Sequence, residues 1–187
     1  IHSFPTRRSS DLKSSDSAEE IESAFRQLLE TLDAFQIEYD VADEWTLERR
    51  GKAQANTFYV GQCEYATVVL PPALSWRAQT FKKIRKFVRR GGSVIAAQPV
   101  APCIEFTPNK AIEELAEEYV NIYLVERAGR EVCFQINRVD PGPCQIRTPV
   151  GQSANSLMMH HRKTDTHALF FIANTSPTET VNMRPLI

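Results

Sequence analysis

The chain carries no G-x-G-x-x-G and no Walker sequence, so nothing in it argues for a loop that cradles nucleotide phosphates. It has no C-x-x-C and no Cys/His pair at zinc-ligand spacing. Its four cysteines, Cys63, Cys103, Cys133 and Cys144, stand far apart and irregularly, which argues against a metal site and for structural thiols, with a reducing compartment mildly favoured. An excess of charge is missing as well. With 22 Lys+Arg against 23 Asp+Glu the formal net charge is −1, so no global field draws the chain to nucleic acid or an anionic membrane. The longest apolar runs, such as Ala168–Ala173, are far too short to span a bilayer. The expectations are no metal, no cofactor, no nucleic acid and no membrane. No secretory leader is visible, a point to which the first residues return.

What is present is ordinary globular composition: 187 residues, 42% hydrophobic and 24% charged, enough to bury a core without disulfide or metal staples. Ser17-Ala18-Glu19-Glu20 fits a capping box. Behind it Ile21, Ala24, Phe25, Leu28, Leu29, Leu32 and Phe35 keep the spacing of an amphipathic helix. Ile37–Val41 alternates like a strand. A short strand-like pair around Phe58–Val60 and Tyr65 follows the polar DEWTLERRGK. Thr67–Leu70 and Ser93–Ala97 read as strands buried on both faces. The helix between them should be capped by Ser75, turn Trp76, Phe81, Ile84, Phe87 and Val88 inward, and stop at Gly91-Gly92. Thr107-Pro108 reads as the start of a third helix, through Ile112 and Leu115, with a strand over Val120–Val125 after it.

Arg127–Val139 satisfies both periods. The firm stop Asp140-Pro141-Gly142-Pro143 favours helix, with a strand at Gln145–Arg147 beyond. Alternating helices and strands predict an α/β fold with an open, mainly parallel sheet. The character changes at Gly151–Asn155. Leu157–Arg162, Ala168–Ala173 and a strand from about Thr180 read as a β-meander, cut off in mid-strand at Pro185-Leu186-Ile187.

Four constellations could carry chemistry. Gly61-Gln62-Cys63-Glu64-Tyr65 approaches a nucleophile elbow, but tyrosine stands where the second glycine is needed and a strand, not a helix, follows. His160 and His161 face opposite sides of a strand, so only His161 with His167 across the hairpin could share a ligand. The basic run Lys82–Arg90 lacks an aromatic platform and reads as a solvated helix face. Asp40, Asp43, Glu44 and Trp45 cluster where the strand 37–41 ends, the edge at which open α/β sheets place ligands. Asp43 and Glu44 could hydrogen-bond sugar hydroxyls while Trp45 stacks on a ring. Two acids in one loop do not make the opposed pair that glycoside hydrolysis needs. Asp43, Glu44 and Trp45 are therefore the candidate sugar-contact residues, and no catalytic residue is assigned.

Two resemblances complete the reading. His2–Leu12, HSFPTRRSSDL, resembles the translation of a sequencing adapter over eleven residues. This implies that residues 1–12 form no domain, that the natural frame continues upstream, and that the missing leader carries no weight. The motifs Tyr39-Asp40-Val41-Ala42-Asp43-Glu44-Trp45, Val68-Val69-Leu70-Pro71-Pro72, and His161-Arg162-Lys163-Thr164-Asp165 with Phe170–Thr175 are together similar to a stretch of large bacterial glycoside hydrolases of the α-L-rhamnosidase-like group. The resemblance covers roughly residues 20–182. It implies a flavodoxin-like or amidotransferase-like accessory domain over 13–150 and the start of a β-sandwich over 151–187. The partner it implies is the missing catalytic barrel, which holds the group's acid and base. The expectation is a non-catalytic, doubly truncated portion of a multidomain glycoside hydrolase, with compartment unassigned. The alternative is a stand-alone carbohydrate-binding or oligomerisation module.

Overall fold

The structure is a computed structural model that describes residues 15–98, 100–150, 156–178 and 180–186. The adapter-like stretch and the change of character at Gly151–Asn155 lie outside them. The first helix, α1 (Ser15–Ala34), buries Leu28 and Leu32 on one stripe. It begins two residues before the expected cap, so Ser17 lies within its first turn. Gln36 closes it from a left-handed conformation (φ 58°), with the Ile37 amide returning to the Leu32 carbonyl.

Residues 37–41, expected as a strand, enter no ladder. Ile37 packs on the core, but Val41 on the same alternating face is 63% exposed, so the period has no sheet to serve. After it comes a helix that periodicity missed, α2 (Glu44–Arg50), which buries none of its residues. Next, β1 (Gly51–Gln54), β2 (Thr57–Val60) and β3 (Cys63–Tyr65) form an antiparallel meander through two-residue turns.

The centre is a three-stranded parallel sheet. Its strands are β4 (Thr67–Leu70) and β5 (Ser93–Ala97), joined through α3 (Ala78–Val88), and later β8 (Ile122–Val125), in the order β4-β5-β8. Strand β5 is apolar on both faces for a visible reason. Val94 and Ala96 pack with Ile84, Phe87 and Val88 of α3 on one side, while Ile95 and Ala97 pack with Leu28 and Leu32 of α1 on the other. Each fully buried side chain of this kind contributes about 1.5–3 kcal/mol. Gly91 (φ +87°) and Gly92 then reverse the chain, and a β-carbon on Gly92 would lie 2.0 Å from the Phe87 ring.

Two expected caps are corrected. The Ser75 hydroxyl accepts from the Phe106 amide instead of capping α3. Thr107-Pro108 is not a helix start but a strand, β7 (Thr107–Pro108), paired with β6 (Cys103–Ile104). Glu105 and Phe106 turn between them at positive φ (49° and 60°). A residue before proline avoids the helical region, which suits the strand. The helix, α4 (Ala111–Glu118), starts later, its first amide bonded to Asn109 Oδ1 at 2.7 Å.

Strand β8 (Ile122–Val125) leads to α5 (Arg130–Val139), a helix as the proline-glycine stop indicates. Val132, Cys133 and Ile136 are buried, whereas Phe134, which a strand would have turned inward with Val132, is 63% exposed. Helices α3 and α4 thus cover one face of the sheet, α1 and α5 the other. Beyond lie β9 (Gln145–Arg147) and the hairpin of β10 (Leu157–Lys163) with β11 (Ala168–Asn174), around a small core of Cys144, Ile146 and Leu157. The last strand, β12 (Arg184–Leu186), pairs with β9 and not with β11, so the expected three-strand meander is a hairpin plus a separate pair. The fold is mixed α/β, with a three-stranded parallel sheet and several antiparallel sheets.

Candidate functional site

The loop 40–43 and the first turn of α2 hold the three sequence-predicted residues, and each has a definite structural task. Asp43 is the N-cap of α2. Its Oδ1 accepts from the Thr46 amide and its Oδ2 from the Thr46 hydroxyl, both at 2.8 Å. The amide bond, then the hydroxyl bond, hold this carboxyl below the usual aspartate range. Glu44 serves a different helix. Its Oε1 accepts from the Arg77 amide at 2.8 Å, at the start of α3, and Glu105 Oε1 accepts from the next amide, Ala78, at 2.9 Å. Two carboxylates from distant segments thereby take two of the donors that the α3 terminus leaves open. An Arg77–Glu48 ion pair at 2.9 Å joins the two helices.

Trp45 is 56% exposed, and the Arg49 guanidinium lies 3.9 Å over its ring. Asp43, Trp45, Thr46, Arg49 and Arg50 line an open depression of about 280 Å³. The structure therefore brings Asp43 and Trp45 together and leaves Glu44 out. Arg49 went unnoticed in the sequence. Its signal was the four-residue spacing from Trp45, visible only once DEWTLERR is read as a capped helix. Asp40 does not join the depression: its Oδ2 accepts from the Tyr65 hydroxyl at 2.6 Å. Burial first, then that bond, push the Tyr65 hydroxyl far above its ordinary range.

The other candidates separate. Cys63 is exposed on β3, between a turn and another strand, so the strand–turn–helix of an elbow does not form. Among the histidines, His160 Nδ1 lies 3.0 Å from Glu38 Oε1, the His161 ring stacks on Phe170, and His167 Nδ1 meets the Thr166 hydroxyl. Among the described residues no three His, Cys, Asp or Glu side chains are grouped to hold a metal ion. In the basic run, Lys83 Nζ donates to the carbonyls of Glu48 (3.0 Å) and Gly51 (2.6 Å). It thus closes the end of α2, where a cation is electrostatically favoured. Among the described residues no helix is long and apolar enough to cross a membrane.

Asp40, Asp43 and Glu44 each accept from a named donor, and of the three Asp43 alone lines the depression. This arrangement can present an indole, a guanidinium and a fixed carboxylate to a polar ligand. It does not assemble an acid opposite a base. No protein-family model, no curated protein and no solved structure matches the chain.

Proposed function

We propose that this chain is a non-catalytic accessory portion of a multidomain glycoside hydrolase of the α-L-rhamnosidase-like kind, whose catalytic barrel is its partner. The observation that carries the reading is the engagement of the loop acids. Asp43 caps α2, Glu44 holds the α3 terminus and Asp40 takes the Tyr65 hydroxyl, so the carboxylates of this loop build structure. The motifs of the resemblance also fall on coherent elements: the loop and α2, the end of β4, and the β10–β11 hairpin. In this reading the α/β body is a flavodoxin-like scaffold, the hairpin opens a β-sandwich completed elsewhere, and Trp45 with Asp43 offers a sugar a stacking face at the rim.

The test is an aryl-glycoside assay of the chain by itself. No turnover is expected; hydrolysis lost on Asp43→Asn or Glu44→Gln overturns the reading. A second reading, a stand-alone oligomerisation module, draws on the outer face of the hairpin, where Leu169 and Phe171 are 67% and 68% exposed. A defined oligomer in sedimentation, dispersed by Leu169→Ser with Phe171→Ser, would select it.

A further inference from the structure

A second concavity, of about 300 Å³, opens where the end of α1, the outer side of α5 and the strand β9 meet, away from the Trp45 loop. Its lining is of two kinds. Phe134, 63% exposed, stands edge-on to Phe35 with ring centroids 5.7 Å apart and an interplanar angle of 88°. That contact holds the Phe134 ring in place while leaving an apolar face open. Facing it runs a row of polar side chains. Arg147 Nη2 donates to Gln145 Oε1 at 2.7 Å, and Gln145 Nε2 donates to Asn137 Oδ1 at 3.3 Å. The first bond fixes the orientation of the Gln145 amide; the second is long and can yield to a competitor.

The chemistry of this lining selects among ligands. Among the described residues no carboxylate lines the concavity, so a cation finds no counter-charge there. Arg147 is the one charged group among the described lining residues, and it gives an Nη2 donor to Gln145, while the amides of Gln36, Asn137 and Gln145 make the rest of the described polar lining uncharged and suited to a neutral ligand. Amides both donate and accept, as hydroxyls do, and the C–H face of a sugar ring suits an aromatic face. The volume stands at the small end of ligand sites, room for one ring. We propose that this concavity is a binding subsite for a single neutral pyranose, seated on Phe134 and hydrogen-bonded by Asn137 and Gln145. The inference stands on this cavity alone and does not rest on the reading of the Trp45 loop.

The experiment is an NMR titration of the chain with D-glucose, D-galactose and L-rhamnose, with glucuronate and inorganic phosphate as charged comparators. Side-chain amide signals of Asn137 and Gln145 and the Phe134 ring signals are followed. At least one neutral sugar should shift them saturably, with a Kd of about 1 mM for so small a ligand. Phe134→Ala and Asn137→Ala should each weaken binding about tenfold, the loss of one good contact. Trp45→Ala should leave it unchanged. Three outcomes overturn the proposal: no saturable shift with any neutral sugar, saturation only by glucuronate or phosphate, or binding abolished by Trp45→Ala and indifferent to both cavity variants. Phe134 is mostly exposed, and Asn137→Ala decides by itself if Phe134→Ala perturbs the fold.

Discussion

Gln36 and Ile146, 110 positions apart, are joined by two hydrogen bonds between one side chain and the backbone N–H and C=O of one residue. Gln36 Oε1 accepts from the Ile146 amide at 2.7 Å, and its Nε2 donates to the Ile146 carbonyl at 3.1 Å. A primary amide thus takes the place that the N–H and C=O of a residue on a neighbouring strand would fill on that edge of β9. It does so from the left-handed residue that ends α1, which ties the α/β body to β9 and, through β9, to β12.

Replacing Gln36 separates these two tasks. Gln36→Ala strands a buried amide and carbonyl at Ile146 and should cost about 2–3 kcal/mol. Gln36→Gly loses the same bonds but relieves the left-handed backbone, so it should be less damaging by about 1 kcal/mol. Urea midpoints at constant m-value give both numbers. Equal stability of the two variants would remove the strain half of the argument. A loss below about 0.5 kcal/mol in Gln36→Ala, the ordinary surface range, would remove the hydrogen-bond half.

Asp43 should report its cap through pH. Its carboxyl is held below the ordinary value by the Thr46 amide and hydroxyl, so the folded state keeps it ionised to lower pH than the unfolded state does. Its contribution is therefore fully present above pH 3.8, the ordinary value, and is lost as pH falls through the lower folded value. Asp43→Ala should cost about 1 kcal/mol at neutral pH and flatten this acid limb. Asp43→Asn, which still accepts hydrogen bonds, should keep most of the stability and also lose the limb. Thermal unfolding between pH 2 and 7 checks both. An acid limb unchanged in Asp43→Asn would show that other carboxyls produce it.

What could be read from the residues alone divides along physical lines. The β4–α3–β5 unit and α5 were legible because burial imposes a period, and a proline or paired glycine marks where the period stops. Helix α2 was not, since EWTLERR buries nothing. Its stability comes from a cap at one end and, at the other, from Lys83, whose approach depends on how α3 packs. Thr107-Pro108 carries the local signature of a helix start, and only the two non-glycine residues at positive φ before it reveal a hairpin. At the site, Asp43 and Trp45 are near neighbours in sequence and stayed together. The direction of Glu44 was set by an amide 33 positions further on, which no local pattern encodes.

The two glycines of the turn after α3 should differ in what limits their replacement. A β-carbon at Gly92 meets the ring of Phe87, a side chain with 0% exposure, at 2.0 Å. Gly92→Ala must therefore displace the core and should cost about 1–3 kcal/mol or more. At Gly91 a β-carbon finds nothing within 4 Å, and the cost is the left-handed backbone alone, about 1–2 kcal/mol. Phe87→Leu makes room for the Gly92→Ala methyl. In a double-mutant cycle it should rescue Gly92→Ala and leave Gly91→Ala untouched. Strictly additive effects at positions 87 and 92 would show that the contact is not what limits this turn.

The thiols offer a probe of the whole body. Cys63 is exposed, whereas Cys133 on α5 and Cys144 beside β9 are buried, Cys133 with 0% exposure. An aromatic disulfide reagent should modify Cys63 at once and reach Cys133 and Cys144 only as the protein opens. Burial also pushes the Cys133 thiol up from 9.0 to about 12. The folded state then holds a proton that the unfolded state releases above pH 9.0, so this contribution to stability is intact below that value and is lost as pH rises toward 12. Cys133→Ala should therefore be less stable at neutral pH, by about 1 kcal/mol for a small cavity, yet lose less of its stability between pH 9 and 11 than the parent chain. Parallel alkaline limbs in the two proteins would show that other groups set this dependence. Rapid labelling of Cys133 in native buffer would contradict the packing of α5 against β5 and α1.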